Sequence, residues 1–199
     1  MTILSRLAEK SWEPASDRDP VVPSRSRPSA GSVGLAVYLA VAMVMFSLLG
    51  AAYFMRMGLH ASMGHADDWI PMPDPPLLWI NSAILVASSV AWEIARRSDA
   101  EGPWVRASIA GTALGLFFLV GQWILWRQYQ AGGYYLASNP ANAFFYLLTA
   151  LHAIHILVGL VAGARVLAER NRAHVRLCAI YWHFLLFIWI LIAALLVST

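Results

Sequence analysis

The chain has 199 residues, of which 59% are hydrophobic and 13% are charged, and its formal net charge is +3. Soluble globular domains carry about 25% charged residues, so this composition argues against an ordinary soluble fold. The single cysteine, Cys178, excludes an internal disulfide and a metal site built only from thiolates.

The first 31 residues are polar, rich in proline, serine and arginine, and without helical periodicity. Such a composition cannot bury enough apolar surface to order itself, so we predict a disordered or loosely held tail over residues 1–31. No apolar core precedes a small-residue cleavage site in this tail, so we expect no cleavable signal peptide.

Residues 32–199 carry five apolar stretches, each long enough to cross a bilayer as a helix of roughly 20 residues. They therefore predict one all-α membrane domain, a bundle of five transmembrane helices. The stretches are Ser32–Met57, Pro76–Ala95, Trp104–Trp126, Asn142–Leu167 and Leu177–Val197.

Basic residues are distributed unevenly between the two sides of this predicted bundle. The tail, the turn between helices 2 and 3 and the turn between helices 4 and 5 hold 12 of the 14 lysines and arginines, and the other side holds Arg56 and Arg127. Because basic loops stay inside, we predict a cytoplasmic N-terminus and a C-terminus on the external side. The net charge then reflects topology and requires no nucleic-acid partner.

The external segment Gly58–Pro76 contains histidines and aspartates, which suit several divalent metal ions. A metal site there is one hypothesis, and an acidic surface loop that happens to contain histidines is the interpretation we favour. The residues concerned are His60, His65, Asp67, Asp68 and Asp74.

Helix 2 carries a polar stripe formed by Asn81, Ser88 and Trp92, with Glu93 beside it. An ionisable residue inside a membrane helix suggests a functional site. Glu93 nevertheless lies near the inner end of its helix, with Arg97 four residues later. We favour an interfacial ion pair over a role in proton transfer.

Helices 3 and 4 each carry two glycines four residues apart, Gly111 with Gly115 and Gly159 with Gly163. Small residues at this spacing allow close packing of membrane helices. On helix 4 the two histidines His152 and His155 share one third of the surface with these glycines. They are therefore expected to point into the bundle or a cleft.

His152, His155 and His183 could together hold a metal ion or a haem. Several features disfavour this hypothesis: no carboxylate or cysteine lies within one helical turn of them in sequence, and His183 would be the only partner from another helix. From the predicted bounds, His155 lies about 18 Å from the inner end of its helix and His183 about 9 Å from its own. We therefore interpret all three as structural or lipid-contacting residues.

Four motifs, in order, resemble helices of subunit III of the haem–copper (cytochrome c) oxidases. They resemble that family's P-hhh-N-T-hhL-hSS, G-hhF-hhhQ-hhEW, TG-H-x-x-H-hhhG and YWHF patterns, where h is a hydrophobic residue. The stretches are PPLLWINSAILVASSVAWEIAR (75–96), GLFFLVGQWILWRQYQAGGYYLAS (115–138), NAFFYLLTALHAIHILVGL (142–160) and AIYWHFLLFIWILIAALL (179–196). The resemblance covers about residues 33–197 and matches the short, five-helix bacterial branch.

The resemblance implies an accessory subunit of a terminal oxidase in aerobic respiration, without a cofactor of its own, in the bacterial inner membrane. Haem and copper are expected in partner subunit I, which this chain would stabilise and help to take up protons; subunit II is a second expected partner. Phospholipid is a possible ligand, and Trp182, in the YWHF motif, joins the histidines, Asn81 and Glu93 as a structural or lipid-contacting residue. Two departures are Ala42 and Leu125, where the family has acidic residues.

Three alternatives to an oxidase subunit stay open at this point. The nearest is the subunit-III-like accessory protein of nitric oxide reductase, which shares the five-helix form. A haem b or metal-binding membrane protein would use His152, His155 and His183. A small transporter is the third, although neither an internal repeat nor a broken helix pair is evident.

Overall fold

The computed structural model describes residues 29–63, 73 and 75–197, and within these residues it consists of five long α-helices without a strand. Each helix contains a stretch long and apolar enough to cross a membrane. The predicted all-α, multi-pass fold is thus confirmed. The helices are α1 (Ala30–Met63), α2 (Pro76–Arg97), α3 (Glu101–Ala131), α4 (Pro140–Glu169) and α5 (Arg172–Val197).

The helices extend beyond the apolar stretches from which they were predicted, because helical hydrogen bonding continues into polar residues until a local signal stops it. Gly133, with φ at 88°, follows the end of α3, and Arg170, with φ at 48°, follows the end of α4. At the start of α4 the Asn139 side chain accepts a hydrogen bond from the Ala141 amide at 2.9 Å, with Pro140 in the first turn.

The turns after α2 and after α4 meet at one end of the bundle, which we call the basic end. Arg172 donates hydrogen bonds to the Ser98 carbonyl at 2.5 Å and to the Asp99 carboxylate at 2.9 Å. Arg170 forms an ion pair with Glu101 at 3.1 Å. This is the end predicted to face the cytoplasm, and that orientation stays a prediction.

The centre of the protein lies between α2, α3, α4 and α5, where Trp92, Phe118, Ile156 and Trp182 are completely buried. Helix α1 is peripheral: 11% of its most apolar window is buried, compared with 33–44% for the other helices. It packs against α4 and α5 through a small apolar cluster around Phe46.

Two of the sequence predictions concern residues outside the described ranges. The tail was predicted over residues 1–31; residues 1–28 of it are not described, and α1 begins at Ala30, just before the predicted domain boundary. The metal hypothesis concerns the segment containing residues 64–72 and 74, which are also not described. Both stay predictions.

Candidate functional site: the membrane-embedded histidines and the packing around them

His152 is completely buried at the junction of four helices. Its ring centroid lies 5.3 Å from that of Trp189 on α5, 5.9 Å from Phe118 on α3 and 6.4 Å from Phe46 on α1. Neither ring nitrogen has a hydrogen-bond partner in the part of the chain that is described. His152 therefore acts in the core as a flat ring packed among aromatic side chains.

His155 lies one turn further along α4 and is also buried. Its Nδ1 lies 2.8 Å from the Leu151 carbonyl oxygen, which can only accept, so Nδ1 carries the hydrogen. The imidazole ring faces Tyr38 and Phe46 of α1, at 5.9 and 5.4 Å between centroids. The Tyr181 hydroxyl donates to the backbone carbonyl of His155 at 2.8 Å, joining α5 to α4.

His183 belongs to a different network, between α5 and α2. Its Nε2 lies 3.1 Å from the Glu93 carboxylate and its Nδ1 lies 2.6 Å from the Ser89 hydroxyl. Because a carboxylate only accepts, Nε2 is the donor to Glu93, and in the neutral ring Nδ1 accepts from Ser89. Glu93 also accepts from Arg96, at 2.5 and 2.7 Å, and from Arg97 at 2.6 Å. The predicted Glu93–Arg97 ion pair is therefore present within a larger network.

The three histidines do not converge on a common point. Among the described residues no group of three histidine, cysteine or acidic side chains could hold one metal ion. The difference in depth that the sequence predicted between His155 and His183 does not explain this separation. It was calculated for a helix starting at Leu177, whereas α5 begins at Arg172. His155 is about 21 Å and His183 about 16 Å from the basic ends of their helices, so their depths are similar. They are separated because His183 points towards α2, whereas His155 points towards α1.

The glycines on α3 and α4 receive side chains from other helices. A Cβ atom added to Gly111 would lie 2.7 Å from the Trp92 ring, and one added to Gly115 would overlap the Trp182 ring. At Gly163 it would lie 2.9 Å from the Thr112 hydroxyl, and at Gly159 3.0 Å from the Tyr181 ring. The small residues therefore mainly make room for bulky rings, and among these four glycines only Gly163 has its nearest neighbour on the other glycine-bearing helix.

The two indoles that fill these spaces stack on each other in the middle of the bundle. The Trp92 and Trp182 rings are 6.1 Å apart and inclined by 15°. Trp182 was predicted to be structural or lipid-contacting, and here it is completely buried against protein. The stack brings α2 and α5 together, and its rings occupy the spaces beside the glycines of α3.

Polar side chains also connect the helices inside the membrane domain. Asn81 is completely buried and its amide donates to the Gln122 side chain across a long distance of 3.4 Å. The Ser88 hydroxyl donates to the Gly111 carbonyl at 2.7 Å. Such bonds between helices contribute about 0.6 kcal/mol each on average within a membrane.

Two tryptophan contacts were missed by the sequence reasoning. Trp189 donates to the Ser82 hydroxyl at 2.9 Å, and Trp126 donates to the Thr149 hydroxyl at 3.1 Å. A buried indole N–H usually finds a hydrogen-bond partner, which is a signal that could have indicated such pairs, although that of Trp92 has none among the described residues. Which hydroxyl it reaches depends on tertiary packing.

Comparisons with curated proteins identify similar chains over most of the length. Cytochrome c oxidase subunit 3 of Thermostichus vulcanus is 30% identical over 193 residues, covering 87% of this chain and 89% of that protein. The corresponding values are 29% over 184 residues (85% and 88%) for the probable subunit 3 of Mycobacterium tuberculosis H37Rv, and 28% over 192 residues (87% and 92%) for subunit 3 of Corynebacterium diphtheriae.

No family model matches the chain. The relatives nevertheless match almost end to end, and the five membrane-spanning helices fit a subunit of a membrane complex. The chain therefore belongs to the cytochrome c oxidase subunit III family, as a subunit of a haem–copper oxidase.

Proposed function

We propose that this subunit holds no haem, copper or other redox cofactor, and that it acts by stabilising the subunit that does. The observation that supports this is the arrangement of the histidines. Both ring nitrogens of His183 are engaged with Ser89 and Glu93, and Nδ1 of His155 is engaged with a backbone carbonyl. His152 is enclosed by aromatic rings, so the described histidines offer no common open position to an ion or a haem iron.

The expected partner is subunit I, which by resemblance to the family carries the haems and copper, with subunit II as a second partner. In this proposal the chain stabilises subunit I and supports its proton uptake, and it performs no bond chemistry itself. The three relatives described above are named for cytochrome c oxidase, which favours dioxygen reduction by the complex over the nitric oxide reductase alternative.

Purification of the tagged chain from its native membrane in a mild detergent tests this proposal. We expect a large haem-bearing subunit to co-purify, identified by mass spectrometry, and the chain separated from it to show no haem absorbance band. A chain that comes out alone and coloured would contradict the proposal. Oxygen or nitric oxide consumption by the purified complex separates the two kinds of reductase.

The role in the complex is tested by removing the chain. We expect an oxidase that lacks it to lose activity faster during turnover and to take up protons more slowly, with the haem spectrum of subunit I unchanged. Unchanged turnover stability and unchanged proton uptake would leave no support for the accessory role.

A groove of about 360 Å³ between α1, α4 and α5 supports phospholipid as a ligand. Its walls include Leu35, Val158 and Leu177, which suit an acyl chain. Arg165 lies at its basic end and suits a phosphate, whereas His174, at the same end, is 3.0 Å from the Glu169 carboxylate, which also lines the groove. We expect Arg165→Ala to lower the amount of anionic phospholipid that co-purifies, measured by mass spectrometry of the extracted lipids. Arg106→Ala, at the same end of the bundle on α3, is the matched control, and equal losses in both variants would refute this site.

We further propose that the chain spans the bacterial inner membrane with its N-terminus in the cytoplasm. The two arginine-rich turns at the basic end support this orientation. Reporter fusions at each terminus test it: a reporter active only outside the cytoplasm should work at the C-terminus and fail at the N-terminus. The opposite pattern would reverse the orientation.

A further inference from the structure

The turn between α3 and α4, residues 132–138, projects from the end of the bundle that lies opposite the basic end. Its level can be measured from the arginines of the basic end, by taking on each of α2–α5 the exposed arginine that lies furthest into the helix. They are Arg96, Arg106, Arg165 and Arg176, in chain order. The hydrocarbon core of a bilayer is about 30 Å thick, which corresponds to roughly 20 helical residues at 1.5 Å each.

The helices differ in how far they continue beyond this thickness. About 30 Å from their arginines, α2 has reached Pro76 and α5 has reached Leu196, which lie at the ends of these two helices. The same distance brings α3 only to Trp126 and α4 only to Phe145, and both helices continue for about another 7 Å. The headgroup layer on each side of the core is about 5–7 Å thick. The α3–α4 turn therefore lies at the level of the headgroups.

Two exposed tryptophan side chains support this position of the boundary independently of the arginines. Trp79 on α2 and Trp123 on α3 are the exposed tryptophans among the described residues. Each lies about 4–5 Å on the core side of the level marked by Pro76 and Trp126. Tryptophan is enriched where the core meets the headgroups, because its ring is apolar and carries one N–H donor. Two helices thus place the boundary at the same level.

The turn is held in one shape and presents two large side chains. The Tyr134 carbonyl accepts a hydrogen bond from the Tyr146 hydroxyl at 2.8 Å, and the Tyr135 carbonyl accepts one from the Ser138 hydroxyl at 2.7 Å. Tyr135 and Leu136 are nevertheless 60% exposed each. Their exposure therefore belongs to a turn whose backbone is fixed by α4.

The chemistry of the turn suits lipid headgroups better than a soluble protein. No aspartate, glutamate, lysine or arginine occurs between Arg127 and Arg165, so a protein that docks through charge complementarity would find no charge to pair with. Tyrosine is enriched in the headgroup layer together with tryptophan. The Tyr135 hydroxyl has no hydrogen-bond partner among the described residues, so it is available to donate to a phosphate or ester oxygen.

We infer that residues 132–138 form an interfacial anchor, in which Tyr135 and Leu136 lie among the phospholipid headgroups and the Tyr135 hydroxyl donates to a lipid oxygen. The anchor holds the α3–α4 hairpin at a fixed depth in the bilayer. This inference rests on the membrane-spanning fold, and it does not depend on the partner, the lipid groove or the orientation proposed above.

Site-directed spin labelling tests the depth of the turn. Leu136→Cys is introduced into the full chain, and the purified oxidase is placed in vesicles of phosphatidylcholine and phosphatidylglycerol and labelled with a nitroxide. Cys178 is buried, and the complex with the wild-type chain, treated in the same way, gives the background from other subunits. Ile124→Cys, at an exposed position of α3 within the core, is the matched control. Collisions of each label with oxygen and with a water-soluble nickel chelate are compared with those of spin-labelled phospholipids.

We expect the label at Leu136 to match a phospholipid labelled on its headgroup, and the label at Ile124 to match one labelled on its acyl chain. Two results would overturn the inference. A label at Leu136 that meets the nickel chelate as often as a free nitroxide in water would place the turn beyond the headgroups. A label shielded from both reagents would mean that another protein covers the turn.

A charged turn tests whether the contact with headgroups sets the depth of the hairpin. Combining Tyr135→Glu with Leu136→Glu removes both large side chains and adds two carboxylates, which favour water. We expect the label at Ile124 to shift towards the headgroup standard in this variant. Gln130→Glu, at an exposed position in the last turn of α3, is the matched control and should leave that label at its original depth. An unshifted Ile124 label in an assembled complex with the charged turn would contradict the anchor.

Discussion

Replacing Gly115 with alanine tests whether the fit between glycines and aromatic rings holds this bundle together. The new Cβ atom would overlap the Trp182 ring and lie 3.3 Å from the Leu160 side chain. Trp182 has little freedom to move away, because it is completely buried and stacked on Trp92. Overpacking costs about 1–3 kcal/mol, and this site belongs at the upper end of that range. Alanine gains about 1 kcal/mol over glycine in helix propensity, so we expect a net loss of about 2 kcal/mol.

The matched control is Gly34→Ala on α1. No atom lies within 4 Å of the Cβ position at Gly34, so only the helix-propensity gain of up to about 1 kcal/mol remains. The measurement is the free energy of unfolding of the chain in mixed detergent micelles titrated with a denaturing detergent. A second comparison combines Gly115→Ala with Trp182→Phe, whose smaller ring leaves space, and the coupling energy should be about 1–2 kcal/mol. Equal stability of Gly115→Ala and Gly34→Ala would refute the steric argument.

Further substitutions test individual polar contacts. His152→Phe should leave the free energy of unfolding unchanged or raise it, because neither ring nitrogen of His152 has a partner in the described chain; a loss above about 2 kcal/mol would mean that a partner exists. Glu93→Gln should leave oxidase turnover near the wild-type rate, and a large loss of proton uptake in an assembled complex would assign Glu93 a part in proton transfer. Ser88→Ala should lower the free energy of unfolding by about 0.6 kcal/mol, because it removes the donor to the Gly111 carbonyl. Ser82→Ala should have a similar cost and should also shift the fluorescence emission of Trp189, whose indole donates to the Ser82 hydroxyl.

The five membrane spans could be predicted from the sequence because the exclusion of charge from lipid leaves long apolar stretches that need no tertiary information. The ends of the helices could not be predicted equally well. Predicted spans stop where apolar residues stop, but the backbone of α5 remains helical back to Arg172, whose side chain bonds to the turn after α2. Because of that extension, His183 lies further from the basic end of α5 than predicted, at a depth similar to that of His155. The difference in depth therefore no longer argues against a metal or haem site shared by the two histidines.

At the level of side chains, local contacts were predictable and long-range contacts were not. The Glu93–Arg97 pair follows from the spacing of four residues on one helix. The bond from His183 to Glu93 joins residues 90 positions apart, and only the packing of α5 on α2 brings them together. Likewise, the spacing of Gly111 and Gly115 indicates tight packing, but it does not reveal that the neighbours are the Trp92 and Trp182 rings from two other helices.

The two buried histidines of α4 have a structural consequence for α1. In lipid, helices gain little from the hydrophobic effect on association, so α1 depends on close contacts and polar interactions for its attachment. Its aromatic side chains Tyr38 and Phe46 meet the ring of His155, and Phe46 also meets that of His152. Hydrogen bonding of His155 to Leu151 fixes the ring that these side chains contact. His152 and His155 thus form the surface against which the most peripheral helix packs, which accounts for their place in an apolar helix.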